Sequence, residues 1–233
     1  MQDSRLEETV AAVRERIDGA LTRAGRADEV RVVAVTKGHP VDVVRAALAA
    51  GLDRLGENRV GELASKVEAV GRDAAEWHMI GHLQRNKARD GVPLFDRVHS
   101  IDSLRLARTL SKEALRAERV VRGYMQVNVS GEAVKGGFDP AQAVDALGSM
   151  GELEAVEVYG LMTMAPYTDD ETVLRETFAS TRRLLERLQR EVPGALHGAE
   201  LSMGMSNDFE IAIEEGATVV RLGTVLFGER SLT

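Results

Sequence analysis

"RVVAVTKGHP", residues 31–40, changes character within ten positions. Val32, Val33, Ala34 and Val35 form an unbroken apolar run, and Thr36, Lys37, Gly38, His39 and Pro40 follow at once. Branched residues at consecutive positions, with no polar residue between them, read as a short strand buried on both faces. Gly38 and Pro40 then end it. Lys37 therefore stands at the carboxyl end of a buried strand, where an ammonium group is costly to desolvate unless it has a partner or a task.

Working outward, the same kind of segment recurs. Strand-like runs "VVAVT", "DRLGEN", "WHMIG", "RVHSI", "YMQVNV", "VYGLMTM", "ELSMG" and "VVRLG" alternate with amphipathic helix-like stretches such as "VDVVRAALAAG", "SLRLARTLSKEALRAE" and "ETVLRETFASTRRLLERLQREV". Strands alternating with helices imply parallel pairing and right-handed crossovers, and eight such units are the count for a (β/α)8 TIM barrel. Leu6, Val10, Val13, Ile17 and Leu21 recur at helical spacing and predict one extra helix before the first strand. An open doubly wound sheet is the rival, but "TKGHP" stands where its G-x-G-x-x-G turn belongs. No linker or shift in composition divides the chain, so residues 1–233 are expected to form a single barrel domain.

Composition narrows the function classes. The chain has 233 residues, a formal net charge of -7 and no cysteine. A net negative field argues against nucleic acid and anionic membranes as partners, so an anion site has to be local. The lack of cysteine removes disulfides, thiolate nucleophiles and Cys-ligated zinc. "MQDSRLEETVAAVRERI" lacks the apolar core of a signal peptide, and no apolar run approaches the ~20 residues of a membrane span, so the expected compartment is the cytoplasm.

In barrels the chemistry lies at the carboxyl ends of the strands, with phosphate often held by the loops after strands 7 and 8. Lys37 is at such an end. Strand 7 runs into "SMGMSND" and strand 8 into "RLGT", small-residue turns whose backbone N–H groups can face an anion. Ser206 and Asn207 precede a helix-like "DFEIAIEEG", while Gly223 and Thr224 offer N–H groups and a hydroxyl. A lysine facing a phosphate cup implies a phosphorylated aldehyde, of which pyridoxal 5'-phosphate is the commonest cofactor.

At this point "VAVTKGHP", "GENRVGE", "WHMIGHLQRNK", "VHSIDSLRLA", "LMTMAP" and "LSMGMSNDFEIAIEEGATVVRLGTVLFGER" closely resemble the pyridoxal phosphate homeostasis proteins, over nearly the whole chain. The resemblance implies a single barrel like the N-terminal domain of alanine racemases. It implies that Lys37 forms the internal aldimine, that Asn58 lies beside the cofactor, that Ser206, Gly223 and Thr224 hold the phosphate, and that Arg221 faces the pyridine nitrogen. His39 stands where the family usually has a second lysine.

Arginine donates hydrogen bonds and keeps its proton, so it leaves a pyridine nitrogen unprotonated and the ring a poor electron sink. The rival for Arg221 is a structural ion pair inside the barrel with Glu57 or Asp208. His82 is expected at the mouth and Lys135 in a mobile loop after strand 5, where it would assist cofactor exchange. Met203 is a further candidate lining residue, although the pairs Met162/Met164 and Met203/Met205 alternate along strands as core residues do. His78 and His82 would stand roughly 13 Å apart on a strand, too far to share a metal. "QRNKAR", residues 84–89, reads as a solvated basic face. The favoured class is a non-catalytic carrier that binds and delivers pyridoxal phosphate, with apo enzymes as acceptors; the alternative is a racemase or other lysine-dependent enzyme. A racemase of this type needs a second acid/base opposite the lysine, which the resemblance implies is a tyrosine from a further domain of the partner subunit in alanine racemases; of the three tyrosines here only Tyr167, just past strand 6, is near the mouth. A monomer is the expected state, with a weak dimer left open.

Overall fold

The computed structural model describes residues 2–131 and 136–229. Eight strands close into a parallel barrel in sequential order: β1 (Arg31–Val35), β2 (Arg54–Glu57), β3 (Glu76–Met79), β4 (Arg97–Ile101), β5 (Val121–Gln126), β6 (Val156–Met162), β7 (Leu196–Ser202) and β8 (Val219–Leu222). Closure is made by β1 pairing with β8, with Val33 opposite Arg221 and Ala34 opposite Leu222. That pairing removes both sheet edges and settles the choice between barrel and open sheet.

Around it run α1 (Gln2–Arg23), α2 (Val41–Ala49), α3 (Val60–Val70), α4 (Ala88–Gly91), α5 (Leu104–Arg116), α6 (Ala143–Gly151), α7 (Glu171–Glu191), α8 (Phe209–Glu214) and α9 (Thr224–Phe227). The extra helix α1 buries Val10, Val13 and Ile17. It is docked to α8 by Arg16–Glu210 and Arg23–Glu214 ion pairs, each 2.5 Å. Asp170 caps α7 by accepting from the N–H groups of Thr172 and Val173, and Ser103 caps α5 by accepting from Leu106. Each such cap contributes about 1 kcal/mol.

Alternation along the strands sorts side chains between two cores. Val33, Tyr124, Met162 and Val219 pack in the lumen, with Ile80, Tyr159 and Met164 partly buried against them. The larger cluster, including Ala34, Leu55, Trp77, Phe95, Phe178 and Leu222, fills the layer between barrel and helices. β5 and β7 depart furthest from the sequence reading. β5 begins three residues before "YMQVNV", because its ladder with β6 starts at Val121–Val156, and exposed Arg122 interrupts the apolar run. It ends at Gln126, and Val127 beyond it still donates to the Met162 carbonyl at 2.9 Å while bridging to Phe138. β7 extends back to Leu196 through "HGA", which carries no apolar signal.

Candidate functional site

Lys37 lies in the turn that follows β1, half-buried at the carboxyl-end mouth of the barrel. Its position is set from behind, by groups on the outer face of the strands. Thr36 points into the layer between barrel and helices, where its hydroxyl donates to Glu57 Oε1 at 2.5 Å. Lys66, on α3, donates from Nζ to the same oxygen and to the Thr36 carbonyl, both at 2.7 Å. The Gly38 N–H donates to Glu62, one turn earlier on α3. Glu57 is 0% exposed. Burial pushes its carboxyl up, and the Lys66 and Thr36 hydrogen bonds pull it back. The ends of β1 and β2 are thereby tied to α3, with Lys37 carried by the tied segment.

The two small-residue turns after β7 and β8 meet beside this segment. Ser206 Oγ accepts from the N–H groups of Gly223 at 3.3 Å and Val225 at 3.2 Å, so the serine hydroxyl and the first turn of α9 already share one spot. Gly223 packs closely here: a Cβ at that position would come within 3.3 Å of the Val35 carbonyl oxygen, tighter than ordinary contact. The His39 and Phe227 rings are 5.6 Å apart, which places the Lys37 turn against α9. Thr224 is exposed at the start of that helix. Asn58, half-buried, follows β2, whose Gly56 pairs with Val35 across the ladder. Gly81 allows the β3 loop to approach it, since a Cβ would meet Asn58 O at 2.5 Å.

Arg221 lies one layer deeper in the lumen, on the same face of β8 as Gly223, and is 5% exposed. Its Nη1 donates to the Ser202 carbonyl at 2.8 Å and to Ser202 Oγ at 2.7 Å, and Nη2 donates to the Thr163 carbonyl at 2.9 Å. Burial pulls the guanidinium down to about 10, with Asp208 pushing back, so it is a cation at neutral pH. The alternative partner Glu57 is not within the lumen: it faces α3 and pairs with Lys66.

The remaining candidates separate. His82 is at the mouth, its side chain 71% exposed and Nδ1 2.8 Å from Asp102 Oδ2. Met203 is corrected from lining residue to core: it is fully buried in the barrel–helix layer, because Ser202 takes the inward direction and its neighbour the outward one. Met162 is core as expected, whereas Met205 is exposed. Lys135 lies outside the described residues. Among the described residues no group of three or more His, Cys, Asp or Glu side chains could hold a metal ion, and no helix is long and apolar enough to cross a membrane. Residues 84–87 and Arg89 are exposed.

Sequence reasoning missed the polar lumen below Arg221. His78 Nδ1 is 2.8 Å from His99 Nε2, and His99 Nδ1 is 2.8 Å from Ser202 Oγ. Tyr124 donates to Glu200 at 2.5 Å on the floor, where Glu200 also pairs with Arg31 and Arg97. Inward-pointing polar residues at alternate strand positions were the available signal. Without strand register, nothing in the sequence says that they touch.

The donor set suits an anionic aldehyde. The Lys37 turn, the Ser206 and Thr224 hydroxyls and the N–H groups at the start of α9 lie at one barrel mouth, with the buried Arg221 guanidinium one layer deeper. The Tyr124 and Tyr159 hydroxyls bond Glu200 and Glu157, and Tyr167, after β6, is 96% exposed.

Comparison with known proteins agrees with this architecture. Residues 9–231 match the family described as alanine racemase, N-terminal domain. The pyridoxal phosphate homeostasis protein of Aquifex aeolicus is 43% identical over 224 residues, 96% of this chain and 97% of that protein. A structure of PipY from Synechococcus elongatus, described as having pyridoxal phosphate bound, superposes with a TM-score of 0.85 at 37% identity, over 96% of this chain and all of that one. An alanine racemase of Clostridium difficile shares the fold alone, with a TM-score of 0.74 at 15% identity over 98% of this chain and 60% of that one. The chain belongs to the pyridoxal phosphate homeostasis protein family, on the barrel of the alanine racemase N-terminal domain.

Proposed function

We propose that this protein binds pyridoxal 5'-phosphate at the barrel mouth and takes part in its homeostasis and delivery, without turning over amino acids. The observation that carries the reading is the convergence of the Lys37 turn with the Ser206–Gly223–Val225 contact, above a buried Arg221. Bound there, pyridoxal phosphate supplies an aldehyde that a primary amine can hold reversibly. Lys37 is that amine. Ser206, Gly223 and Thr224 hold the phosphate, using hydroxyls and N–H groups at the start of α9. Arg221 donates to the pyridine nitrogen and keeps its own proton, so the site offers no acid to protonate that atom. Asn58 and His82 border the ring.

The engagement of the tyrosines supports the reading of binding without turnover. A two-base exchange at carbon needs a second group of suitable pKa within hydrogen-bond reach. The hydroxyls of Tyr124 and Tyr159 are engaged with carboxylates, and Tyr167 points to solvent. We read residues 1–233 as one such domain, monomeric, in the cytoplasm, with apo enzymes as acceptors. The test is borohydride reduction of the protein loaded with pyridoxal phosphate, followed by peptide mapping. One pyridoxyl group on Lys37 is expected; an adduct elsewhere, or none, overturns the assignment.

A further inference from the structure

The lumen holds a chain of four hydrogen-bonding groups that binding of a cofactor at the mouth leaves unexplained. It begins at Arg221, passes through Ser202 and His99 to His78, and ends against Glu76 on the barrel floor. The contacts are 2.7 Å from Arg221 Nη1 to Ser202 Oγ, 2.8 Å from Ser202 Oγ to His99 Nδ1, and 2.8 Å from His99 Nε2 to His78 Nδ1. His78 Nε2 then lies 3.4 Å from Glu76 Oε1, a close electrostatic contact rather than a full hydrogen bond. Both histidines and Ser202 are buried.

The chemistry of the first member fixes the direction of the whole chain. Guanidinium has donors only, so Ser202 Oγ accepts from Arg221 and its single proton is left for His99 Nδ1. His99 then carries its proton on Nε2 and donates it to His78 Nδ1, which puts the His78 proton on Nε2, facing the Glu76 carboxylate. The reverse order fails at both ends. It would strand the serine proton, and it would set a histidine lone pair against a carboxylate oxygen. Charging either ring is opposed by burial, and for His99 also by His78, Arg221, Arg97 and Arg31 around it. The Tyr124 ring packs against His99 at 4.5 Å between centroids, tilted by 54°.

We propose that Ser202, His99 and His78 are positioning residues that hold Arg221 as a fixed, donor-only group for the pyridine nitrogen, through a one-way hydrogen-bond chain rooted in the barrel floor. This inference rests on the reading of the mouth as a pyridoxal phosphate site. With both Nη1 hydrogens on Ser202 and one Nη2 hydrogen on Thr163, the guanidinium plane is pinned at three points. Among the described residues its Nε–H and second Nη2–H have no acceptor, which leaves them for a ligand. A histidine pair in the lumen thus acts without touching the cofactor, by removing any freedom of Arg221 to swing away or share a proton.

The test begins on the full-length protein without cofactor, by nitrogen-15 NMR of labelled histidine and arginine at pH 7. His78 and His99 should both be neutral, with the proton on Nε2, and the Arg221 Nη nitrogens should give separate signals because rotation about Cζ is hindered. In Ser202→Ala those Nη signals should merge and His99 should lose its single tautomer. After loading with pyridoxal phosphate, Ser202→Ala should show a displaced absorption maximum, and Ser202→Thr, which keeps the hydroxyl, should return it toward the wild-type position. An Nδ1–H tautomer or an imidazolium in the wild type overturns the chain. If the wild type takes up pyridoxal phosphate but Ser202→Ala changes neither the arginine signals nor the absorption, the positioning role is overturned and the cofactor reading stands. A wild type that takes up none overturns the cofactor reading itself, and the positioning role with it.

Discussion

Replacing Lys66 by methionine should destabilise the protein by about 3–5 kcal/mol at pH 8, the range for breaking a buried ion pair from one side. The structure puts this change at the severe end of single substitutions. Glu57 is fully buried, and among the described residues its Oε2 has no hydrogen-bond partner and Lys66 supplies its only cationic contact, at 2.7 Å. The Thr36 carbonyl loses its Nζ donor in the same step. For a chain of this size each kcal/mol moves Tm by about 2–4 °C, so a fall of roughly 6–20 °C is expected. The loss should be pH-dependent. Burial already raises the Glu57 carboxyl, and removing Lys66 raises it further. A group whose folded pKa is raised stabilises the folded state below its unfolded value, near 4.5, and that contribution is lost as pH rises through the folded value. The mutant should therefore fall furthest behind the wild type at pH 8 and partly recover by pH 5.5. Adding Glu57→Gln should restore at least half of the loss, because the uncompensated charge is gone. Urea denaturation of the four proteins of this cycle at both pH values measures all of it. A loss for Lys66→Met below about 1 kcal/mol at pH 8, or an equal loss at both pH values, refutes the reasoning.

Acid should act on the lumen histidines in the opposite sense. Their folded pKa values are lowered by burial, so their contribution is complete above the unfolded value of about 6.5 and is lost as pH falls, at up to about 1.4 kcal/mol per pH unit for each ring; a wild-type stability that is flat from pH 7 to 5 would contradict this. Ser206→Ala with Thr224→Ala should weaken pyridoxal phosphate binding by about 3–6 kcal/mol, at 1.5–3 for each hydrogen bond to a charged group, and pyridoxal without phosphate should bind far more weakly than the phosphate ester. Equal affinity of the two in an equilibrium titration removes the anion site from these turns. Incubation of the loaded protein with L-alanine and other L-amino acids should yield no D-isomer or keto acid above a Lys37→Ala control by chiral chromatography, and Tyr167→Phe should leave that result and cofactor binding unchanged. Turnover near ~1 per second that disappears in Tyr167→Phe would establish the racemase reading instead.

Much of the fold was determined by local pattern. The apolar run before Thr36 and its seven counterparts alternate with amphipathic stretches, and that order admits few topologies once crossovers are right-handed. The same pattern placed Lys37, Ser206, Arg221, Gly223 and Thr224 at strand ends, since a residue's distance along a strand from the turn is readable in one dimension. Strand limits were less legible where charge or small residues interrupt the run, as at Arg122 and at "HGA". Only the tertiary structure decided which strand-end residues touch. Barrel closure brings β8 beside β1 across nearly the full length of the chain, so that Gly223 abuts Val35. It also decided that Glu57 faces Lys66 and not Arg221, because inward and outward directions alternate residue by residue and a one-residue change of register exchanges them. The chain from Arg221 to His78 draws on β8, β7, β4 and β3, and its members stand up to 143 positions apart. No local spacing encodes such a contact. It exists because parallel strands of a closed barrel stack their inward side chains in layers, and a polar side chain buried in a layer has only its neighbours there to bond.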